Sequence, residues 1–238
     1  MNILYRDDHI TVVDKPSGLL VHRSALSSDE DSLVDRLREH FAALGEDAPS
    51  PVHRLDRPAS GIVLCANDSE TARLLCDSFI KGEVHKYYHA IVRGWVIEAG
   101  EIDIPLQKYK QGKVVKENKE EQEAFTRYTP LLTGEIPVGN NRFPTSRYSL
   151  IQAEPVTGRY HQLRRHLARI GHPIVGDTAH GDLRHNKILR DYCGNERLLL
   201  HARQIRFPHP VEDKIIEIEA PYPPEFDKIL HSVFGLVQ

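Results

Sequence analysis

Apolar and polar positions alternate from the first residues. Ile3 and Tyr5, then Ile10, Val12 and Val13, stand around Asp7 and Asp8, which predicts two short strands joined by a turn. Lys15-Pro16-Ser17-Gly18 ends the second strand, because proline donates nothing to a ladder and glycine frees the turn. The period then changes: Leu33, Val34, Leu37, Phe41 and Leu44 recur at helical spacing, with Ser32 and Asp35 placed like a capping box and Gly45 as the stop. Pro49, Ser50 and Pro51 form a stiff connection into Val52–Gly61, and the apolar run Ile62-Val63-Leu64-Cys65-Ala66 is expected as a buried strand. Asp68 or Ser69 caps a second helix whose apolar face is Ala72, Leu75, Cys76, Phe79 and Ile80, closed by Gly82. Cys65 and Cys76 are therefore expected in or near the core.

Lys86 to Trp95 is β-rich and alternating. Residues 108–123 are mostly charged and read as an exposed hairpin or mobile loop. Strands are expected near Ala124–Tyr128 and Arg147–Ala153, separated by GEIPVGNNRFPTS, which has the composition of a loop. Leu163, Leu167 and Ile170 form a helical stripe stopped by Gly171. Strands near Leu198–Phe207 and Ile215–Ile218 and a helix near Glu225–Val233 complete the chain. No internal repeat or dividing linker is visible, so the expected architecture is one α+β domain over 1–238, with a mixed, mainly antiparallel sheet flanked by helices and loops.

With 238 residues, 40% of them hydrophobic, the chain can fill a core. The three cysteines cannot all pair and no CxxC occurs, which favours a reducing compartment over a disulfide scaffold. The start lacks the basic end and apolar run of a signal peptide, and no uncharged run is long enough to span a membrane, so a cytoplasmic protein is expected. The net charge of −3 hides segregation. Residues 142–206 hold twelve Lys and Arg against five acids, a tract of +7, and the remainder holds nineteen against twenty-nine, or −10. Six of the 14 histidines also lie in the tract. Charge alone fits either local phosphate recognition or a solvated basic face.

Two clusters carry candidate chemistry. In His53-Arg54-Leu55-Asp56-Arg57-Pro58, flanking arginines favour an ionised Asp56, which is either a nucleophile or base or simply a partner in a structural ion pair. In Gly158-Arg159-Tyr160-His161-Gln162-Leu163-Arg164-Arg165-His166, Arg164 sits at the edge of the apolar stripe, where burial demands a carboxylate; Asp56 is one candidate. A surface basic helix is the alternative. Tyr88, in the strand after Lys86, is either a packing residue or a group that exchanges a proton or stacks on a base. Metal binding finds little support: His161 and His166 are about 140° apart on a helix, and no HExxH occurs. GxxxxGK[ST] and GxGxxG are absent, and the kinase-like echo of His53-Arg54 with Asp56 lacks its companion motifs.

Taken together, HRLDRPASG, KYYHAIVRG, TGRYHQLRRHLARIGHPIVGD and RLLLHA, in that order, resemble the RluA-type pseudouridine synthases over nearly the whole chain. The resemblance implies isomerisation of uridine to pseudouridine in RNA by one catalytic domain, without cofactor or metal. It implies Asp56 as the catalytic aspartate, Tyr88 as the active-site tyrosine and Arg164 as the basic partner of the aspartate. Arg54 matches an arginine that enters the helix where the uridine leaves it, and Leu200 an apolar residue lining the pocket. Arg57, Arg159, His161 and Arg165 are the further expected RNA contacts. By the same resemblance the catalytic region is expected to begin at residue 1, without the S4 domain that many relatives carry. LVHRS, YHAIVRGW, FPTSRY and HGDLRHN most resemble the members that act on tRNA at position 65. Segments 108–123 and 134–147 are then the expected substrate-selecting loops, tRNA the expected partner and a monomer the expected state. Rival readings are a family member acting on another tRNA or rRNA stem-loop, and a catalytically silent RNA-binding module that would tolerate loss of Asp56.

Overall fold

The computed structural model describes residues 1–23, 31–110, 113–114, 120–140 and 142–235. In chain order its elements begin with β1 (Ile3–Arg6), β2 (Ile10–Lys15), α1 (Leu33–Ala42), β3 (Ser50–Pro51), β4 (Ser60–Ala66), α2 (Ser69–Lys81) and β5 (His85–Arg93). They continue with β6 (Gly100–Asp103), β7 (Leu106–Gln107), β8 (Tyr109–Lys110), β9 (Lys113–Val114), β10 (Glu121–Gln122), β11 (Phe125–Ile136) and β12 (Ser146–Pro155). The last are α3 (Gln162–Arg169), α4 (Leu183–Cys193), β13 (Leu200–Pro208), β14 (Ile215–Glu219) and α5 (Pro224–Phe234). The chain forms two compact units, Met1–Lys86 with His201–Tyr222 and Tyr87–Leu200 with Pro223–Gln238. Both internal strand boundaries between them fall inside β5 and β13, so no linker marks them in the sequence.

In the first unit β1, β2, β4 and β13 lie side by side, with β14 against β13 and β3 against β4. β2 and β4 are antiparallel from Ile10↔Ala66 to Lys15↔Gly61, whereas β13 runs parallel to β4 through His201↔Ser60 and Ala202↔Gly61. Every position of β4 is buried, as its uninterrupted apolar run requires. Gly61, at φ +108°, lets the strands close: a Cβ there would meet the Ala202 carbonyl oxygen at 2.3 Å. Ser32 caps α1, which buries Leu33, Leu37 and Phe41. Asp68 caps α2 and left-handed Gly82 ends it, but the expected apolar face is misplaced: Cys76 is exposed and Ile80 is 83% exposed. The buried stripe runs through Thr71 and Leu75 instead. Thr71 can be buried because its hydroxyl donates to Asp68 Oδ2 at 2.6 Å, which a pattern of apolar residues does not register.

In the second unit β5, β12, β11 and β6 form an antiparallel run. The β11–β12 ladder extends to Ile136↔Ser146, so both ends of the expected insertion are strand, and residues 137–140 and 142–145 between them are irregular; 141 lies outside the described residues. Gly134 is a close-approach position, not a turn: a Cβ would meet the Val233 carbonyl of α5 at 2.4 Å. Pairing of β7 with β10 and of β8 with β9 makes a hairpin of the charged segment 108–123, of which 111–112 and 115–119 lie outside the described residues. Neither β6 nor α4 follows from the apolar pattern. In α4 the cause is His185, which holds a core position through a 3.1 Å bond between Nδ1 and the Tyr148 hydroxyl. The end signals are present nonetheless: Asp182 accepts from Arg184 and His185 N–H, and Gly194 is left-handed. Among the described residues no helix is long and apolar enough to cross a membrane.

Candidate functional site

In the first unit Arg54, Asp56 and Arg57 share the loop between β3 and β4. His53 anchors its start: Nε2 accepts the Leu64 N–H at 2.9 Å and the ring packs against Phe79. Desolvation, with the Lys86 charge adding to it, lowers this imidazole to about 3, so it is a neutral acceptor near pH 7. Leu55 points into the core, and the Asp56 carbonyl accepts from Ala59 N–H at 3.1 Å, closing a turn around Pro58. The Lys15–Gly18 turn clamps this loop from below. Ser17 Oγ donates to Pro58 O at 2.6 Å, Gly18 N to Arg57 O at 2.9 Å, and Arg57 Nε to Gly18 O at 3.0 Å. Fully buried Lys15 donates from Nζ to the carbonyls of Pro16, Leu19 and Arg57, which replace its water shell. Asp56 thus rides half-buried on a pinned loop with Arg54 exposed beside it. No sequence signal beyond its place at a strand end singles out Lys15, and none singles out the anchoring role of His53.

Burial also lowers the imidazoles of His166 and His185. Between the unfolded value of about 6.5 and the depressed folded values, the unfolded chain binds protons that the folded chain does not. The contribution of these imidazoles to stability is therefore full above about pH 6.5 and falls as pH drops, with His53 alone accounting for up to about 1.4 kcal/mol per pH unit toward pH 3. Urea unfolding between pH 8 and 5 should show this slope and a shallower one in His53→Gln, which keeps an acceptor without the titration. Equal slopes would remove His53 as a source.

The second unit carries Tyr88, Arg159, His161, Arg164, Arg165 and Leu200. Tyr88 lies on β5 opposite Ala153 and is buried. Leu200 is buried next to Leu199, whose carbonyl accepts from Ile91 N–H of β5 at 3.1 Å. α3 is not a surface basic helix: Gln162, Arg164, Arg165 and His166 are buried along with Leu163 and Leu167. Each buried polar group has partners. Gln162 Oε1 accepts from Thr157 Oγ1 and Arg159 N–H, while its Nε2 donates to Phe125 O and Thr126 Oγ1. His166 bonds Thr126 Oγ1 and Ile104 O. Arg165 donates to Tyr160 O, and Arg159 to Glu123 O at 2.9 Å.

Arg164 finds its carboxylate in Asp177, with Nε at 2.7 Å and a terminal nitrogen at 2.8 Å from the two oxygens. Burial by itself would raise the Asp177 carboxyl, but Arg164 and the backbone N–H groups of His180 and Ala179 outweigh it and hold it below the usual range. The sequence shows that a buried Arg164 needs a carboxylate, but its spacing points no more to Asp177 than to any other acid. The signal at Asp177 is an acid closing the apolar run Pro173-Ile174-Val175-Gly176. His161 opens α3 at φ +52°, the one non-glycine in the left-handed region among the described residues. Tyr160 stacks on its ring at 3.8 Å, and its Nδ1 lies 3.0 Å from His180 Nε2. The +7 tract is accordingly not one solvated face: Arg164 and Arg165 are buried, and Arg147, Arg203 and Arg206 pair with Glu135, Glu219 and Glu217 outside it. Among the described residues no three His, Cys, Asp or Glu side chains are grouped to hold a metal ion.

A pinned acidic loop and a buried arginine braced by its own carboxylate are the residues of the HRLD and GRYHQLRRH motifs. Residues 9–169 match the model of the RNA pseudouridylate synthase family, and the chain belongs to that family. It is 43% identical to the tRNA pseudouridine synthase C of Vibrio vulnificus over 98% of this chain and 94% of that one. To the protein of the same name in Vibrio cholerae it is 42% identical over 92% of this chain and 90% of the relative. Among solved structures it is similar to human RNA pseudouridylate synthase domain containing 4, with TM-score 0.76 and 26% identity over 97% of this chain and 92% of that one.

Proposed function

We propose that the protein isomerises a uridine of tRNA to pseudouridine, at position 65. The observation that carries this is identity above 40% along nearly the whole chain to relatives named tRNA pseudouridine synthase C. Position 65 rests on the finer resemblance of segments such as FPTSRY and HGDLRHN. The reaction breaks the C1′–N1 bond, joins C1′ to C5, removes a proton from C5 and places one on N1; it is balanced without any net oxidation. A uracil within a helix hides C1′ and C5, so the nucleotide has to leave the stack at a cost of a few kcal/mol. Arg54, exposed at the loop, is the planar cation that fills the gap. Ionised Asp56 attacks or deprotonates the nucleotide, and Arg164 is the basic residue that the reaction calls on. Tyr88 assists proton removal from C5 and contacts the uracil beside Leu200. Arg57, Arg159, His161 and Arg165 serve the surrounding RNA partly by shaping the loops that touch it, since Arg57, Arg159 and Arg165 each donate to a backbone carbonyl.

Mapping pseudouridines in total RNA from cells with and without the protein tests this. Loss of one tRNA site at position 65 is expected. Loss only in ribosomal RNA would replace the substrate, and no loss anywhere would contradict the activity.

A further inference from the structure

On the second unit, part of the expected substrate-selecting segment 134–147 lines a groove together with α4. We infer that the groove between residues 138–140 and 142–145 and the first turns of α4 binds phosphodiesters of the substrate RNA away from the uridine being modified. Two adjoining cavities, about 340 and 480 Å³, share Asn140 and Arg184 as lining residues. Five cations line them, Arg93, Arg142, Arg147, Arg184 and Lys187, against two carboxylates, Asp182 and Asp191. Those carboxylates are already committed, Asp182 to Arg93 and Asp191 to Lys187. Arg147 meets Glu135 at 3.4 Å on the exposed side. Among the described residues no carboxylate pairs with Arg142 or Arg184, so the groove keeps a net positive charge with two guanidiniums unneutralised.

The groove is also built. Arg184 Nη1 donates to Asn140 O at 3.0 Å, tying α4 to the opposite lip, and Asn140 Oδ1 accepts from Arg142 and Phe143 N–H. Arg142 sits over the Phe143 ring and Arg147 over Trp95 at 4.0 Å. Trp95 is itself fixed by Nε1 donating to Gly134 O, yet 42% of it is exposed, as is 55% of Phe143. Exposed aromatics carrying guanidiniums are costly as mere surface but offer stacking faces next to phosphate-binding cations. An open trough with several cations suits an extended polyanion better than a single small anion, and guanidiniums grip phosphates at two points. Arg93 lies five residues beyond Tyr88 along β5, about 16 Å, which puts the groove beyond the reacting base and within the span of a folded RNA.

This inference rests on the proposed substrate being an RNA. Its test is binding of an unmodified tRNA transcript across a salt series, for the wild type and for Arg142→Ala/Arg184→Ala. About tenfold weaker binding is expected, with the slope of log affinity against log salt shallower by about 1.5, as for two lost phosphate contacts. Arg142→Glu alone, which leaves the Arg184 tie intact, should weaken binding with an unchanged melting temperature. Unchanged affinity and slope in both variants would overturn the inference. The same wild-type preparation assayed for pseudouridine separates the two failures: absent product refutes the proposed activity, whereas normal product with unaffected variants refutes only the groove.

Discussion

Asp56→Ala should leave a folded protein that binds tRNA and makes no pseudouridine, with turnover down by more than about 10³-fold. The loop has anchors other than this carboxylate. They are His53 to Leu64, Ser17 to Pro58, and Lys15 and Gly18 to the Arg57 carbonyl. The readout is tritium released from tRNA carrying [5-³H]uridine, because C5 loses its hydrogen only when the base is reattached through C5. A silent RNA-binding module would release none in the wild type either. A variant rate within tenfold of the wild type would instead remove Asp56 from the chemistry.

Asp177→Ala is the change expected to cost the fold most. It strips the carboxylate from an arginine that is only 4% exposed, and an uncompensated buried charge costs about 3–5 kcal/mol. The two backbone N–H groups of Ala179 and His180 lose their acceptor as well. Urea unfolding should show that loss, and Arg164→Met/Asp177→Leu should recover much of it, because replacing both members of a buried pair leaves no charge stranded. Arg164→Lys should keep most stability yet lose more than about tenfold in turnover. A lysine is a point charge and cannot reproduce the two-point grip of the guanidinium on Asp177, so the cation is no longer fixed in place. Equal losses for the single and double variants would mean that the pair does not act as a unit.

Much of the fold was legible where local chemistry and burial agree. Ser32, Asp68, Gly82 and Gly171 mark helix ends, and the Ile62–Ala66 run is a buried strand because nothing in it needs water. The misses share one cause: polar side chains whose hydrogen bonds are satisfied internally take core positions. His185 on Tyr148 hid α4, Thr71 on Asp68 rotated the expected face of α2, and the bonds of Gln162 and His166 bury positions of α3 outside its apolar stripe. Gly134 misled for another reason, since the close approach of α5 and a turn ask for the same residue. At the candidate site the motif residues themselves could be named from the sequence. Their supports could not: Asp177 is thirteen residues from Arg164, and Lys15 is forty-two from Arg57, so only the folded chain brings each pair together.

The most direct test of the central claim is nucleotide-resolution mapping of an unmodified tRNA transcript after incubation with the purified protein and no added cofactor. The expected result is a single pseudouridine at position 65 with the wild type and none with Asp56→Ala. A folded, tRNA-binding wild type that leaves every uridine unchanged would contradict it.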